Sequence, residues 1–269
     1  MKRIAMTLLL WALPLAAFAQ SSFSGNWKVD LNKVQLDEKP SVYLLKDGVY
    51  TCESCIPKQI VKADGEYHSV AGSPYSDELR VKVVDANTVD ITGRKQGKTS
   101  FHELDKVSND GMTLTMEYEG HPESSSQPIE FKGTSTRVGS PEGGAHLFSG
   151  SWKMEKYSSV SENVLRFQYA STPDGMEYKA STGESYSAKF DGKDYPFLGD
   201  PGTTSVALRR VNERSFEETY KRKDEVINRA EITLSEDGTT LDIVSHDTRR
   251  GSTDHFVAQR EGNPEMSEK

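Results

Sequence analysis

The sequence predicts an all-β protein made of two similar antiparallel β-barrels in tandem. The phrase FSGNWK at positions 23–28 returns as FSGSWK at positions 148–153. Residues typical of turns coincide when the chain is shifted along itself by 127 positions. Between these turns, apolar and polar residues alternate, which is typical of half-buried strands. Together these observations indicate a β-rich unit that occurs twice.

The repeat extends well beyond the six-residue phrase. The coinciding pairs are Asp64-Gly65 with Asp191-Gly192, Gly72 with Gly199, Pro74 with Pro201, Thr92 with Thr219, Asp110-Gly111 with Asp237-Gly238, and Leu114 with Leu241. A constant offset over so many turn residues indicates an internal duplication.

Individual strands can be placed from the alternation of apolar residues. In the first unit, the apolar residues alternate in three runs: Leu79, Val81 and Val83; Val89 and Ile91; and Met112, Leu114, Met116 and Tyr118. Asp-Gly, which precedes the last of these runs and its counterpart in the second unit, supplies the positive φ angles of tight hairpin turns. The segment from Ser158 to Phe167 is the one place where a short helix fits the pattern.

Closure into a barrel is the architecture that this pattern favours. About eight or nine short strands per unit must bury one face and leave no bare edge, and a closed sheet does both. A pair of β-sandwiches is the alternative fold.

The start of the chain has the composition of a secretory leader. Lys2 and Arg3 precede an apolar run that ends near Leu15, and Ala17-Phe18-Ala19 is a small-x-small cleavage site. The run is short for a membrane span. We therefore predict a signal peptide over 1–19, a first barrel over 20–138, a Gly- and Pro-containing linker over 139–147 and a second barrel over 148–269. A bacterial periplasmic or secreted location without a membrane anchor follows.

The charge balance argues against nucleic acid as a partner. The formal net charge is −8, and removal of the leader with Lys2 and Arg3 makes it more negative. Binding to a phosphate backbone requires a positive surface. The sequence does not indicate a protein partner.

Each unit begins with a G-x-W motif, in Gly25-Asn26-Trp27 and Gly150-Ser151-Trp152. This resembles the calycins, the group that includes lipocalins and fatty-acid-binding proteins. The resemblance implies that each Trp closes one end of a barrel and that an Arg on the last strand packs across its ring. Arg137 lies 110 residues after Trp27, and Arg260 lies 108 residues after Trp152, so these pairs are the expected contacts.

A longer stretch resembles bacterial exported proteins of unassigned function, which share the G-x-W-K start and a D-G-K-x-Y-P-x-x-G-x-P turn. Here that turn runs from Asp191 through Tyr195 to Pro201. The chain departs from fatty-acid-binding proteins, whose helix pair is replaced by residues 31–40. In those proteins an Arg and a Tyr on the last strands bind a carboxylate. This chain lacks that arrangement, since Val138 and Glu261 follow the two last-strand arginines.

Cys52 and Cys55, the two cysteines of the chain, allow three interpretations. A local disulfide in an oxidising compartment is favoured. Thiol–disulfide exchange is disfavoured because Pro57 breaks the helix that would activate the first thiol. Zinc binding is disfavoured further, since C-x-x-C is half a site and no second pair exists.

No motif in the sequence points to catalysis, a cofactor or a resident metal. The six histidines lack metal-binding spacing such as H-E-x-x-H, and there is no nucleophile elbow or phosphate-binding glycine loop. We therefore expect an exported, non-catalytic protein that binds a small apolar or amphiphilic ligand inside a barrel. The residues predicted to line a ligand site are Trp27, Arg137, Trp152, Arg260, Tyr67 and Tyr195. A cell-envelope interaction protein without a ligand is the alternative, and a thiol–disulfide redox protein is third.

Overall fold

A computed structural model describes residues 22–37 and 39–262 of the chain. The described part is nearly all β and forms two ten-stranded antiparallel sheets, each curled into a nearly closed barrel. This confirms the predicted fold class. The predicted signal peptide, over 1–19, lies outside the described residues.

Barrel one is formed by one continuous stretch of chain. Its strands are β2 (Ser41–Lys46), β3 (Val49–Cys52), β4 (Gln59–Lys62), β5 (Asp64–Ser69), β6 (Glu78–Val83), β7 (Thr88–Lys95), β8 (Lys98–Val107), β9 (Thr113–Gly120), β10 (Ile129–Val138) and β11 (Gly150–Val160). Its strand order, β4-β3-β2-β11-β10-β9-β8-β7-β6-β5, leaves a seam between β4 and β5.

Barrel two combines the rest of the chain with the N-terminal strand. Its strands are β1 (Gly25–Val29), β12 (Arg166–Ser171), β13 (Gly175–Ala180), β14 (Ser185–Lys189), β15 (Asp194–Pro196), β16 (Ser205–Asn212), β17 (Ser215–Arg222), β18 (Glu225–Leu234), β19 (Thr240–Asp247) and β20 (Ser252–Glu261). Here β1 lies between β12 and β20, and the seam falls between β14 and β15.

The barrels therefore do not follow the predicted division at 20–138 and 148–269. The two repeats have exchanged their first strands: β1 pairs with β12 and β20 of the second repeat, while β11 pairs with β2 and β10 of the first. The FSGxWK segments are nearly identical, so either one fits either position. A short connection brings β11 directly against β10, the strand before it, which costs little chain entropy.

The predicted linker, 139–147, joins two neighbouring strands of barrel one rather than two barrels. It packs on that barrel: the backbone N–H of His146 donates to the carbonyl of Leu45 at 2.9 Å. The chain passes between barrels at two other places. One contains a 3-10 turn, Leu31–Lys33, and the other is the helix α1 (Glu162–Leu165), within the segment where a helix was predicted.

The predicted hairpins agree with the strand pairing. Gly111 and Gly238, each just before the next strand, have φ angles of 74° and 70°. These are values that glycine adopts without the steric penalty of a side chain. Most of the alternating apolar residues, such as Val81, Ile91 and Leu114, face inward into the core cluster of their barrel, whereas Val83 and Met112 are exposed.

The two barrels contact each other through turns. Ser124 Oγ donates to the carbonyl of Thr182 at 2.9 Å, and Arg222 Nη2 donates to the carbonyl of Gly72 at 3.0 Å. None of the helices in residues 22–37 and 39–262 has the length and hydropathy that crossing a bilayer requires.

Candidate functional site in barrel one

Each barrel is closed at one end by a tryptophan beneath an arginine, as the G-x-W motif predicted. The partners differ from those expected, because of the strand exchange. The guanidinium of Arg260 lies 4.2 Å from the ring centre of Trp27, and that of Arg137 lies 4.1 Å from Trp152. The predicted pairs, Trp27 with Arg137 and Trp152 with Arg260, are therefore wrong.

Hydrogen bonds hold both arginines rigidly. Arg137 Nε donates to the carbonyl of Gly111 and Nη1 to that of Ser149, both at 2.6 Å, while Nη2 donates to that of Leu147. The indole of Trp152 donates to the carbonyl of Phe148 at 2.8 Å. Because backbone carbonyls accept hydrogen bonds from its guanidinium, this arginine has a structural role.

Tyr67 and Tyr195, also predicted as ligand-binding residues, have different positions: Tyr67 lies on the outer face of barrel one, and Tyr195 packs against the core of barrel two. Tyr67 faces outward beneath Arg94, whose guanidinium is 3.5 Å from its ring centre. Tyr195 is half-buried, and its hydroxyl donates to Asp191 Oδ2 at 3.1 Å within the same turn. Of the six predicted residues, Trp152 borders an interior cavity.

Aromatic side chains and a glutamate occupy the centre of barrel two, while an open recess of about 470 Å³ borders Tyr178 and Tyr186. Glu218, 2 % exposed, lies at its centre and accepts hydrogen bonds from the hydroxyls of Tyr169, Tyr186 and Tyr220. Burial raises the pKa of Glu218, and the tyrosine hydrogen bonds act in the opposite direction. The rings of Phe23, Tyr169 and Phe190 each pack against the ring of Phe216, on the same strand as Glu218.

Barrel one also has open space. A cavity of about 390 Å³ is bordered by Tyr43, Tyr50, Phe101, Glu103 and Tyr118, among others. A second cavity of about 210 Å³ extends toward Trp152 and shares Tyr43 and Arg250 with the first. Toward the other end, a cleft of about 940 Å³ between the barrels shares Phe101 and Tyr118.

The barrels carry different inward-facing residues at one pair of equivalent positions. At the offset of 127, the cross-strand pair Gly93 and Phe101 of barrel one corresponds to Tyr220 and Asn228 of barrel two. A side chain on Gly93 would lie 2.1 Å from the ring of Phe101, so Phe101 excludes it. Barrel one thus has a glycine where barrel two places a tyrosine ring toward its centre.

Two carboxyl groups face this space from the same side of β8. Residues 103 and 105 alternate with outward-facing neighbours, so both share the inner face with Phe101 and Val107. Glu103 borders the larger cavity and Asp105 the smaller one. Asp105 is 1 % exposed, and within residues 22–37 and 39–262 its Oδ2 has no hydrogen-bond partner.

The carboxyl groups form a coupled pair. Burial raises the pKa of Glu103, and burial together with Glu103 raises the pKa of Asp105 well above its usual range. Each carboxyl group perturbs the titration of the other. Like charges in a low-dielectric interior cannot both ionise freely, so Asp105, whose pKa is raised well above its usual range, is readily protonated.

Four aromatic rings surround the larger cavity near Glu103. They belong to Tyr43, Tyr50, Phe101 and Tyr118. Burial raises the pKa of Tyr118 to about 12 and that of Tyr50 well above its usual range. These tyrosines therefore stay neutral at any physiological pH.

Barrel two contributes a charged side chain to the site in barrel one. Arg250, in the turn between β19 and β20, borders both cavities. Its Nη2 lies 3.4 Å from the carbonyl oxygen of Pro40, and its own carbonyl accepts from Lys39 Nζ. The second repeat therefore covers part of the first barrel.

Cys52 and Cys55 form a disulfide with a Cα–Cα distance of 5.4 Å, which confirms the favoured interpretation of this pair. Cys52 is buried in the core of barrel one, while Cys55 borders the larger cavity. The disulfide therefore ties the segment after β3 to the cavity wall.

Sequence reasoning missed the residues that define this site: Tyr43, Tyr50, Glu103, Asp105, Tyr118 and Arg250. One signal was present, because Phe101, Glu103, Asp105 and Val107 alternate with a period of two, and this places two acids on an apolar face. Arg250 carried no such signal, since it arrives from the other barrel. Neither a protein-family model nor a curated protein matches this chain.

Proposed function

We propose that this is an exported, non-catalytic protein that binds a small amphiphilic molecule inside barrel one. The observation that carries the proposal is the open space of about 390 and 210 Å³ that is lined by inward-facing residues of barrel one and by residues of barrel two. Small-molecule sites are typically concave, about 300–1,000 Å³ in volume, with apolar walls and few polar groups.

The composition of the walls supports an amphiphile rather than a purely apolar ligand. Leu79, Ile91 and the aromatic rings supply apolar surface, while Glu103 and Arg250 supply polar groups. Burying a polar group without a partner is unfavourable. A ligand with one polar end and an apolar body therefore suits these walls better than a hydrocarbon does.

Export is the second part of the proposal. The predicted leader over 1–19 and the disulfide between Cys52 and Cys55 both support an oxidising compartment, because disulfides persist mainly outside the cytosol. The predicted bacterial periplasmic or secreted location thus remains part of the proposed function.

Binding can be tested with a neutral fluorescent dye, N-phenyl-1-naphthylamine, and a matched pair of variants. Leu79 borders the cavity, and Val206 is its equivalent in barrel two at the offset of 127. We expect Leu79→Phe to weaken saturable dye binding while the protein remains stable, because the new ring enters open space. Val206→Phe should leave dye binding intact and lower the free energy of unfolding by about 1–3 kcal/mol, because it overpacks a filled core.

Native mass spectrometry of protein isolated from its own periplasm or medium gives a second readout. Extra mass that is lost on denaturation would identify a bound ligand. Absence of both extra mass and saturable dye binding would reject the proposal and favour an interaction protein that uses its outer surface.

A further inference from the structure

The carboxyl pair in barrel one indicates the chemistry of the ligand. Resting on the proposed function, we infer that the site takes a cationic amphiphile, with a protonated amine at Glu103 and Asp105 and an apolar body along the aromatic walls. The inference rests on an unpartnered buried oxygen, on the surrounding rings and on the arrangement of charge in the cavity.

Asp105 Oδ2 is the strongest single indication. It belongs to a side chain that is 1 % exposed and borders the smaller cavity, and in the described part of the chain it has no hydrogen-bond partner. A buried polar atom without a partner costs about 1–3 kcal/mol, and more when it is charged. A ligand that supplies an N–H donor at this oxygen removes that cost, and a positive charge on the donor strengthens the bond.

The aromatic rings around Glu103 also favour a positively charged ligand. Tyr43, Tyr50, Phe101 and Tyr118 border the cavity that Glu103 faces. The face of an aromatic ring carries a negative quadrupole and attracts a desolvated cation. An amine held at Glu103 would thus lie among aromatic rings as well as beside carboxylate oxygens.

A bound cation would compensate the negative charge of the carboxyl pair. Burial raises the pKa of both Glu103 and Asp105, and Glu103 raises that of Asp105 further, so the empty site opposes double ionisation. A positive headgroup near both carboxyl groups would relieve that opposition and favour loss of a proton to solvent. The pair then carries more negative charge opposite the ligand than it does in the empty site.

Arg250 carries a charge opposite to that of the carboxyl pair, and its presence makes the inference testable. It borders the same cavities, but it is half-buried, reaches in from a turn of barrel two and contacts the carbonyl of Pro40. If Arg250 were the ligand anchor, the favoured headgroup would be an anion. The two assignments therefore predict opposite effects of headgroup charge.

The experiment is isothermal titration of the full chain with three probes that share one tail: octylammonium, octan-1-ol and octanoate. We expect octylammonium to bind about tenfold or more tightly than octan-1-ol, and octanoate to bind most weakly. Tighter binding of octanoate, or equal binding of all three probes, would overturn the cationic assignment and leave the proposed function standing. Binding of none of the three would reject the proposed function itself.

Isosteric variants test whether the two carboxyl groups are responsible for octylammonium binding. Glu103→Gln and Asp105→Asn should each weaken octylammonium binding at least about tenfold and change octan-1-ol binding less than about twofold. Arg250→Met should strengthen octylammonium binding, since it removes a like charge. Glu218→Gln, which changes the buried carboxyl of barrel two, is the matched control and should leave octylammonium binding unchanged.

Near-UV circular dichroism of each variant verifies folding, and either acid variant is sufficient if the other fails to fold. Unchanged octylammonium affinity in a folded Glu103→Gln or Asp105→Asn protein would overturn the inference. If neither variant folds, the order of the three probes on the unaltered chain decides it.

Discussion

The exchange of first strands predicts which arginine is energetically coupled to which tryptophan. Trp27 lies beneath Arg260, and Trp152 beneath Arg137. A double-mutant cycle that combines Trp27→Leu with Arg260→Met should therefore show coupling. A cycle that combines Trp27→Leu with Arg137→Met should show none, because these residues belong to different barrels.

The size of the effect follows from the contacts of Arg260. Its side chain donates to three backbone carbonyls, those of Gly238 at 2.7 Å, Ser24 at 2.5 Å and Ser22 at 2.6 Å. Hydrogen bonds from a charged group are worth about 1.5–3 kcal/mol each. Since Arg260 is half-buried and partly screened by water, we expect Arg260→Met to cost about 2–4 kcal/mol in total.

The coupling itself is smaller than the cost of either substitution. A guanidinium 4.2 Å from the indole centre and partly shielded from water gives an expected coupling of about 1–2 kcal/mol. For residues without contact, the effects should add to within about 0.5 kcal/mol. The difference between the two cycles is therefore larger than the error of a denaturant titration.

Urea unfolding followed by near-UV circular dichroism provides the free energies for both cycles. The mirror cycle, Trp152→Leu with Arg137→Met, should reproduce the coupling in barrel one. If Trp27 couples to Arg137 and not to Arg260, each repeat closes its own barrel and the strand exchange is refuted.

Three further predictions concern stability. Burial raises the pKa of Glu218, so its contribution to stability is complete below the pKa of an unfolded glutamate and is lost as pH rises through the folded value. Urea titrations at pH 4 and pH 8 should therefore show Glu218→Gln gaining stability relative to the unaltered chain as pH rises, and a change of the opposite sign would contradict the raised pKa. Gly150→Ala would place a methyl group 2.3 Å from Nη1 of Arg137, so the midpoint of thermal unfolding should fall, with a loss of about 1–3 kcal/mol. Gly143→Ala, at a site with no atom within 4 Å, should unfold like the parent. Cys52→Ser opens a four-residue loop and should cost about 2 kcal/mol in urea titrations without reductant, whereas an equal stability of variant and parent would show that the disulfide contributes nothing.

The sequence alone determined the fold class and the local structure. The period-two runs and the Asp-Gly turns specified hairpins, and the duplicated G-x-W and arginine specified two closed barrel ends. The hairpins depend on contacts between strands that are close in the chain, and their turns recur at a constant offset, whereas each tryptophan contacts an arginine that the repeat alone did not identify. The pairing of Cys52 with Cys55 was also accessible, because a loop of this length leaves the two residues within reach of each other.

The tertiary structure alone decided which barrel end each tryptophan closes and which residues border the cavities. The two FSGxWK segments are almost interchangeable, so their placement depends on the connection from β10 to β11 and not on their own residues. Cross-strand packing also differs between the barrels, since Phe101 stands over Gly93 where Tyr220 stands beside Asn228 in barrel two. Arg250 reaches the site from the other repeat. A contact between residues far apart in the chain leaves no periodic pattern in the sequence, and for that reason the site appears only once the barrels are assembled.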